Sequence, residues 1–430
     1  MAVTRTVRVG MLGAGTVGAA TLRLLHDHAE DIERRASCRL EVVRVAVRDA
    51  DRARELPVAA DRITTDPRAV VEDGDVDVVV ELIGGSEPSG SLILDALERG
   101  KHVVTANKEL LSTRGRELFD AAERAGVDLA FEGAVGGGIP LIHPLKESLA
   151  GERLVRILGI VNGTTNYVLT RMTQDGMSFD EALTLAVAEG YAEADPTADI
   201  EGYDAAAKCA ILASIAFNAR VVARDVYREG MSHITREDID FSGRLGYEVK
   251  LLAVAELDHD DVAVRVHPAM VPRDHPLAAV RDSFNAVFVE GPNVGELMLY
   301  GRGAGGRPTA TAVVGDLIDV ARNVVNGGRG VGCTCYTERR IRPMEATETQ
   351  YYLLLDVADR PGVLAQVAGA FGDHSVSIKS VWQEGTGDDA LLVLITHRAN
   401  EGAVQQTVGA LRALEPVLEV RSVMRVAGEE

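Results

Sequence analysis

At 430 residues, 46% hydrophobic and 26% charged, the chain exceeds the usual span of one hydrophobic core, so two or three domains are expected. A formal charge of -20 argues against nucleic acid or an anionic membrane as partner, since both attract basic surfaces. No run of about eighteen apolar residues is present, which excludes a spanning helix, and Met1–Gly10 shows no apolar targeting segment, so the cytoplasm is the default compartment.

From the N-terminus, short β-branched runs alternate with longer segments of helical spacing. Val7–Leu12, Leu40–Val47, Val76–Leu82, His102–Thr105 and Val127–Phe131 read as strands, and Val17–Arg35, Glu87–Arg99 and Thr113–Arg124 as helices. Nearly all-apolar strands linked by helices predict a parallel, doubly wound α/β sheet covered on both faces. Between the first strand and helix stands Gly13-Ala14-Gly15-Thr16-Val17-Gly18, a G-x-G-x-x-G. Its glycines permit a tight turn, close approach of a pyrophosphate and close helix–strand packing, while the helix N-terminus favours the anion. A nicotinamide dinucleotide is the expected ligand.

The second strand ends in Ala46-Val47-Arg48-Asp49. Arg48 in the ribose slot pairs with a 2′-phosphate and favours NADP; a one-residue shift puts Asp49 there and favours NAD. A solvated Arg–Asp loop is the plain alternative. The fourth strand runs into Thr105-Ala106-Asn107-Lys108, placing Lys108 at a carboxyl end of the sheet, where ligands bind in such folds. Glu132-Gly133-Ala134-Val135-Gly136-Gly137-Gly138-Ile139 then offers one carboxylate and several exposed carbonyls. That oxygen-only set suits a hard cation; a plain tight connection fits it equally well.

The middle region reads as α+β. It has strands near Leu154–Val161, Val249–Glu256, Val262–Val266, Asn285–Glu290 and Glu296–Tyr300, with a helix Thr309–Val325 returning to the nucleotide domain. Within it, Gly190 to Lys208 carries five acids between positions 193 and 204, with Gly and Pro that interrupt any helix. Asp204 is placed to begin a helix carrying Lys208 one turn later, so the two share a face. Such a loop suits the ammonium of an amino-acid substrate, and a lysine on the edge of an apolar face is desolvated, which lowers its pKa. A solvated loop with a routine ion pair explains the same residues.

Arg339–Thr349 reads as a linker, and Tyr351–Val426 follows a β-α-β-β-α-β rhythm, a ferredoxin-like domain. The expected division is 1–135 for nucleotide binding, completed by a helix from 305–330, then 136–304 for substrate and dimerisation. The linker occupies 338–350 and the small domain 351–430. Four cysteines, Cys38, Cys209, Cys333 and Cys335, are too few for a disulfide framework, and the lone C-x-C makes a poor zinc site.

Taken together, Val161-Asn162-Gly163-Thr164-Thr165-Asn166-Tyr167, the Gly190–Lys208 spacing and Thr105–Lys108 resemble homoserine dehydrogenase, in order from Val7 to about Thr337. Asp359-Arg360-Pro361-Gly362-Val363-Leu364 resembles the start of an ACT domain, a fold that senses amino acids; the pairing is typical of the monofunctional bacterial enzymes. The resemblance implies reversible reduction of L-aspartate 4-semialdehyde to L-homoserine in threonine, methionine and isoleucine biosynthesis. It implies Lys208 and Lys108 as catalytic lysines, Lys208 donating the proton. Glu193 and Asp204 would hold the substrate amino group, Asp199 would organise the lysine, and Thr164 and Gly190 would complete the substrate set. A monovalent cation, sodium by family habit, maps to Glu132, Val135, Gly137 and Ile139, and Gly303 would touch the cofactor. L-threonine feedback and a homodimer or homotetramer are also implied, although His374-Ser375-Val376-Ser377-Ile378 lacks the asparagine common at the effector turn.

Two other readings stand beside this one. A catalytically inactive amino-acid sensor has no reason to retain Lys208, Glu193 and Asp204 together. A nicotinamide-dependent amino-acid dehydrogenase acting at another carbon is disfavoured by the Asn162–Tyr167 and Gly190–Lys208 segments.

Overall fold

Short valine-rich runs in the N-terminal third pair side by side because the central ones are largely apolar on both faces and need cover from two directions. The computed structural model describes residues 5–49, 55–385 and 390–428; the first four residues of the stretch inspected for a targeting signal lie outside it. Two units are distinguished. One comprises Met1–Val155, Ala207–Asp225 and Asn285–Arg339, the other Arg156–Ala206, Val226–Phe284 and Arg340–Glu430.

In the first unit six strands pair in the order Ile63–Thr64, Arg39–Ala46, Thr6–Leu12, Val78–Glu81, His102–Thr105 and Leu129–Ala130. All are parallel. This is the dinucleotide-binding order, with the switch point beside the first strand. One core gathers Val7, Val9, Met11, Val78, Val80 and Val104 with Val313, Leu317, Val320 and Ala321 of the helix Gly306–Asn326. The helix Gly306–Asn326 thus packs on the nucleotide sheet.

The second unit holds a mixed sheet in the order Arg156–Ile160, Tyr247–Asp258, Asp261–Pro272, Val417–Val426, Glu348–Val357, Ala390–Thr396 and Ile378–Glu384. Its last four strands, with helices Val363–Asp373 and Glu401–Ala413, form the ferredoxin-like domain around Tyr351, Leu353, Phe371, Leu392 and Val404. Asp261–Pro272 pairs antiparallel with Tyr247–Asp258 and parallel with Val417–Val426 at Ala269↔Arg425 and Met270↔Val426. The small domain thus extends the same sheet.

Several boundaries differ from the sequence expectation. The first long helix is two, Thr16–Asp27 and Ala29–Ala36, interrupted at His28 with φ -115 and ψ 22. The helix expected from Thr113 begins at Lys108, because Asn107 caps it. The linker is ordered: Arg340–Ile341 pairs with Asp261–Val262, and Met344–Ala346 forms a short 3-10 turn. Residues 136–155, 207–225 and 285–304, expected in the substrate domain, group with the nucleotide sheet.

Candidate active site

The phosphate-binding turn has the form its glycines require. Gly13 adopts φ +98, where a side chain is strained, and donates its N–H to the Ala46 carbonyl at 2.9 Å. A Cβ on Gly18 would clash with the Gly13 carbonyl oxygen, so helix and turn touch there. At Gly15 a Cβ would meet nothing within 4 Å. Gly15 is the N-cap of Thr16–Asp27 and makes no side-chain cap, leaving its first N–H groups to a ligand. Space, donors and dipole at Gly15, Thr16, Val17 and Gly18 fit a pyrophosphate. Arg48 and Asp49 both lie exposed, two and three residues past the strand end at Ala46.

Lys108 is positioned by a network that sequence reading passed over. Buried Glu81 accepts from the Ile83 and Gly84 N–H groups at 2.8 and 2.9 Å and from Thr105 Oγ1 at 2.7 Å. Asn107 Nδ2 donates to the Gly85 carbonyl at 2.7 Å, while its Oδ1 accepts from Leu110 N at 3.1 Å. Two loops at the carboxyl ends of adjacent strands are locked together, with half-buried Lys108 at the first position of the helix.

The glycine loop is organised by Glu132, but not through a carboxylate held ready for a metal. Its Oε1 accepts from Leu141 N at 2.5 Å and Ile142 N at 2.9 Å, and Oε2 from His143 N at 2.7 Å. Its own N–H donates to Asp316 Oδ2 at 2.8 Å. Asp316 in turn meets His143 Nε2 at 2.8 Å, and this contact raises the imidazole pKa to about 9. Among the described residues the carbonyls of Val135, Gly137 and Ile139 accept no hydrogen bond, whereas that of Gly136 accepts from Ile139 N at 2.9 Å. Those three carbonyls fit a hard cation, with Glu132 folding the loop around them. Gly137 lies against Gly303, and a Cβ on Gly303 would fall on the Asn285 amide.

The acidic segment holds the most developed cluster. Asn162, the N-cap of helix Gly163–Asp175, accepts from Thr165 N at 2.9 Å. Its Nδ2 donates to Asp199 Oδ1 at 2.7 Å and to Asp204 Oδ2 at 2.8 Å. Thr164 Oγ1 lies 2.7 Å from the Tyr191 carbonyl and 2.8 Å from Asp199 Oδ2. Two carboxylates are thereby held against a single amide. Asp204 and Lys208 sit four positions apart on the helix Tyr203–Ala216, exposed by only 9% and 7%. Glu193 is exposed and joins none of these bonds; Gly190, at φ +79, ends the preceding helix by donating to the Val187 carbonyl.

Comparison with known proteins decides between the readings. A homoserine dehydrogenase family model matches residues 140–318, a homoserine dehydrogenase NAD-binding domain 13–132, and an ACT domain 351–416. The homoserine dehydrogenase of Mycobacterium tuberculosis is 50% identical over 435 residues, spanning 99% of this chain and 98% of its own. The chain belongs to the homoserine dehydrogenase family. The Corynebacterium glutamicum homoserine dehydrogenase is 47% identical over 425 residues, covering 98% and 95%. A crystal structure of a homoserine dehydrogenase from Thiobacillus denitrificans agrees with a TM-score of 0.94 at 43% identity over 99% of both chains. A hyperthermophilic archaeal homoserine dehydrogenase solved in complex with NADPH agrees at 0.64, with 27% identity over 76% of this chain and 99% of its own.

As a homoserine dehydrogenase the chain is an oxidoreductase with a nucleotide-binding sheet and a C-terminal ACT domain. Sequence reading missed Asn162 and Glu81 as site builders. Asn162 stands in a quoted motif, but nothing local shows that its amide reaches residues 37 and 42 positions away. A cavity of about 530 Å³ in the first unit, walled by Phe119, Phe131, Lys146, Cys333 and Cys335, contains none of the candidate site residues. Size alone does not locate this chemistry.

Proposed function

We propose that this homoserine dehydrogenase reversibly reduces L-aspartate 4-semialdehyde to L-homoserine with NADP, in the biosynthesis of threonine, methionine and isoleucine. The observation that carries the substrate assignment is the pairing of Asp199 and Asp204 on the Asn162 amide. A substrate ammonium is strongly attracted to paired carboxylates, and charge-assisted bonds there exceed neutral ones. Asp204, with Glu193 from the loop, takes the amino group; Asp199, Thr164 and Gly190 shape the pocket. Lys208 meets the carbonyl oxygen, stabilises the alkoxide and delivers its proton, and Lys108 supplies a second cation for the polar substrate. The bound nicotinamide supplies the hydride. The carbonyls of Val135, Gly137 and Ile139, in the loop that Glu132 folds, hold a monovalent cation such as sodium, and Gly303 borders the cofactor.

Arg48 supports NADP over NAD. Rates with NADP and NAD in wild type and Arg48→Ala test this: loss of the NADP preference is the expected result, and an unchanged ratio removes Arg48 from the argument. The ACT domain supports L-threonine as effector, so millimolar threonine should lower activity; unchanged activity and assembly state reject that regulation. We further read the protein as a cytoplasmic homodimer or homotetramer. Among the described residues no helix is long and apolar enough to cross a membrane.

A further inference from the structure

The two carboxylates held on the Asn162 amide, Asp204 for the substrate amine and Asp199 beside it, sit on different helices. Thr197–Ile200 carries Asp199 and Tyr203–Ala216 carries Asp204, and the turn Glu201–Gly202 alone joins them. Their spacing therefore depends on what holds that turn, and the segment from Tyr227 to Ser232 does. Arg228 donates to the Glu201 carbonyl at 2.9 Å, Met231 N to the Ile200 carbonyl at 3.0 Å, and Ser232 Oγ to Glu201 Oε1 at 3.2 Å. The Arg228 guanidinium lies 3.4 Å over the Tyr203 ring. A Cβ on Gly230 would stand 3.1 Å from Glu201 Cα, so the two backbones are in direct contact.

The clamp is itself anchored on the strand Asp261–Pro272 and, through Glu229, in the C-terminal domain. Tyr227 and Arg228 pair with Arg265 and Val266, and Glu229 N donates to the Val266 carbonyl at 2.8 Å. The Glu229 carboxylate accepts from Arg425 at 2.6 Å. Arg425 lies on Val417–Val426, is only 4% exposed, and binds Glu401 through two further bonds of 3.0 and 2.8 Å. Tyr351 completes this group by donating to Glu401 Oε2 at 2.5 Å. One buried guanidinium thus spans an ACT carboxylate and the segment that clamps the acid-bearing turn.

We infer that Arg425 and Glu229 are positioning residues for the substrate-ammonium site, linking the ACT sheet to the spacing of Asp199 and Asp204. The inference rests on the assignment of Asp204 to the substrate amine, with Asp199 shaping the pocket beside it. A guanidinium suits this position because its planar fork satisfies two carboxylates at once, which an ammonium does not. A purely structural ion pair would affect stability and leave substrate affinity untouched.

The experiment compares full-length wild type, Glu229→Ala, Arg425→Lys and the double variant. KM for homoserine, KM for cofactor, kcat and amide hydrogen exchange are measured on each. Each single variant should raise KM for homoserine roughly 5- to 50-fold, within the range of ordinary site coupling, with cofactor KM within about twofold. The double variant should be no worse than the worse single, because both changes break one link. Amides of 197–204 should exchange faster, while those of Tyr247–Asp258 stay unchanged. Should Glu229→Ala fail to fold, Arg425→Lys, which keeps the buried charge, carries the same comparison. Lowered melting temperatures with wild-type KM and wild-type exchange at 197–204 would overturn the proposal. Asp204→Asn run in parallel separates the two ideas: if it leaves homoserine KM unchanged, the substrate-site assignment fails, and exchange at 197–204 still decides the link.

Discussion

Asn162 commits its whole side chain to its neighbours, capping one helix with Oδ1 and holding Asp199 and Asp204 with Nδ2. Asn162→Ala removes the cap, at a cost of about 1 kcal/mol, and leaves two carboxylates facing each other. We expect the melting temperature to fall by about 2–5 °C and KM for homoserine to rise at least tenfold. A calorimetric scan and initial rates check this, and a wild-type KM would mean the amide only caps. Lys208→Ala should lose at least about 100-fold in kcat while staying folded by circular dichroism; near-wild-type turnover would refute its role as proton donor. At this scale the sequence was legible where function needs a rare residue type at a fixed spacing, as in Asp204-x-x-x-Lys208. It was opaque where a common residue acts at long range, as Asn162 and Glu81 do.

At the scale of elements, two glycines of one turn make opposite predictions. Gly18→Ala pushes a methyl into the Gly13 carbonyl, so the turn must deform and stability should drop by about 1–3 kcal/mol. Gly15→Ala meets open space, so stability should stay within about 0.5 kcal/mol while cofactor affinity falls because the methyl lies where the pyrophosphate approaches. Denaturant unfolding and fluorescence titration with NADPH separate the two; tight cofactor binding by Gly15→Ala would relocate the phosphate. The main alternation of strands and helices was readable, but the short strand Ile63–Thr64 and helix Arg68–Val71 were not, and ends were less so. Asn107 starts its helix by a side-chain bond that periodicity does not register. The strand Asp261–Pro272 was read only over Val262–Val266. Pro268, with no N–H to give, sits one residue before pairing with Val417–Val426 begins.

For the whole molecule, the strand Asp261–Pro272 is central because it joins substrate-side and ACT strands, and it buries His267. Burial holds this imidazole well below its ordinary pKa of 6.5, and neighbouring Arg425 and Arg265 add to the effect; Nδ1 faces the Pro268 carbonyl at 2.9 Å. Below pH 6.5 the unfolded chain takes up a proton that the folded one refuses, so stability is complete above that value and declines as pH falls, by up to about 1.4 kcal/mol per pH unit. His267→Asn should flatten the acid limb of a stability–pH curve; an equally steep limb would place the proton uptake elsewhere. The helix Gly306–Asn326 carries a different consequence. It seals one face of a sheet whose last strand, Leu129–Ala130, is made nearly two hundred residues earlier. Until then Leu22 and Ala36 of the N-terminal helices cover that face only in part, and at ribosomal speeds it stays incompletely covered for on the order of 10–40 seconds, long enough for a holdase to capture it or for two nascent chains to stick together. Yield in the cell should therefore depend on translation rate and chaperone supply, even for variants whose finished fold is as stable as the parent.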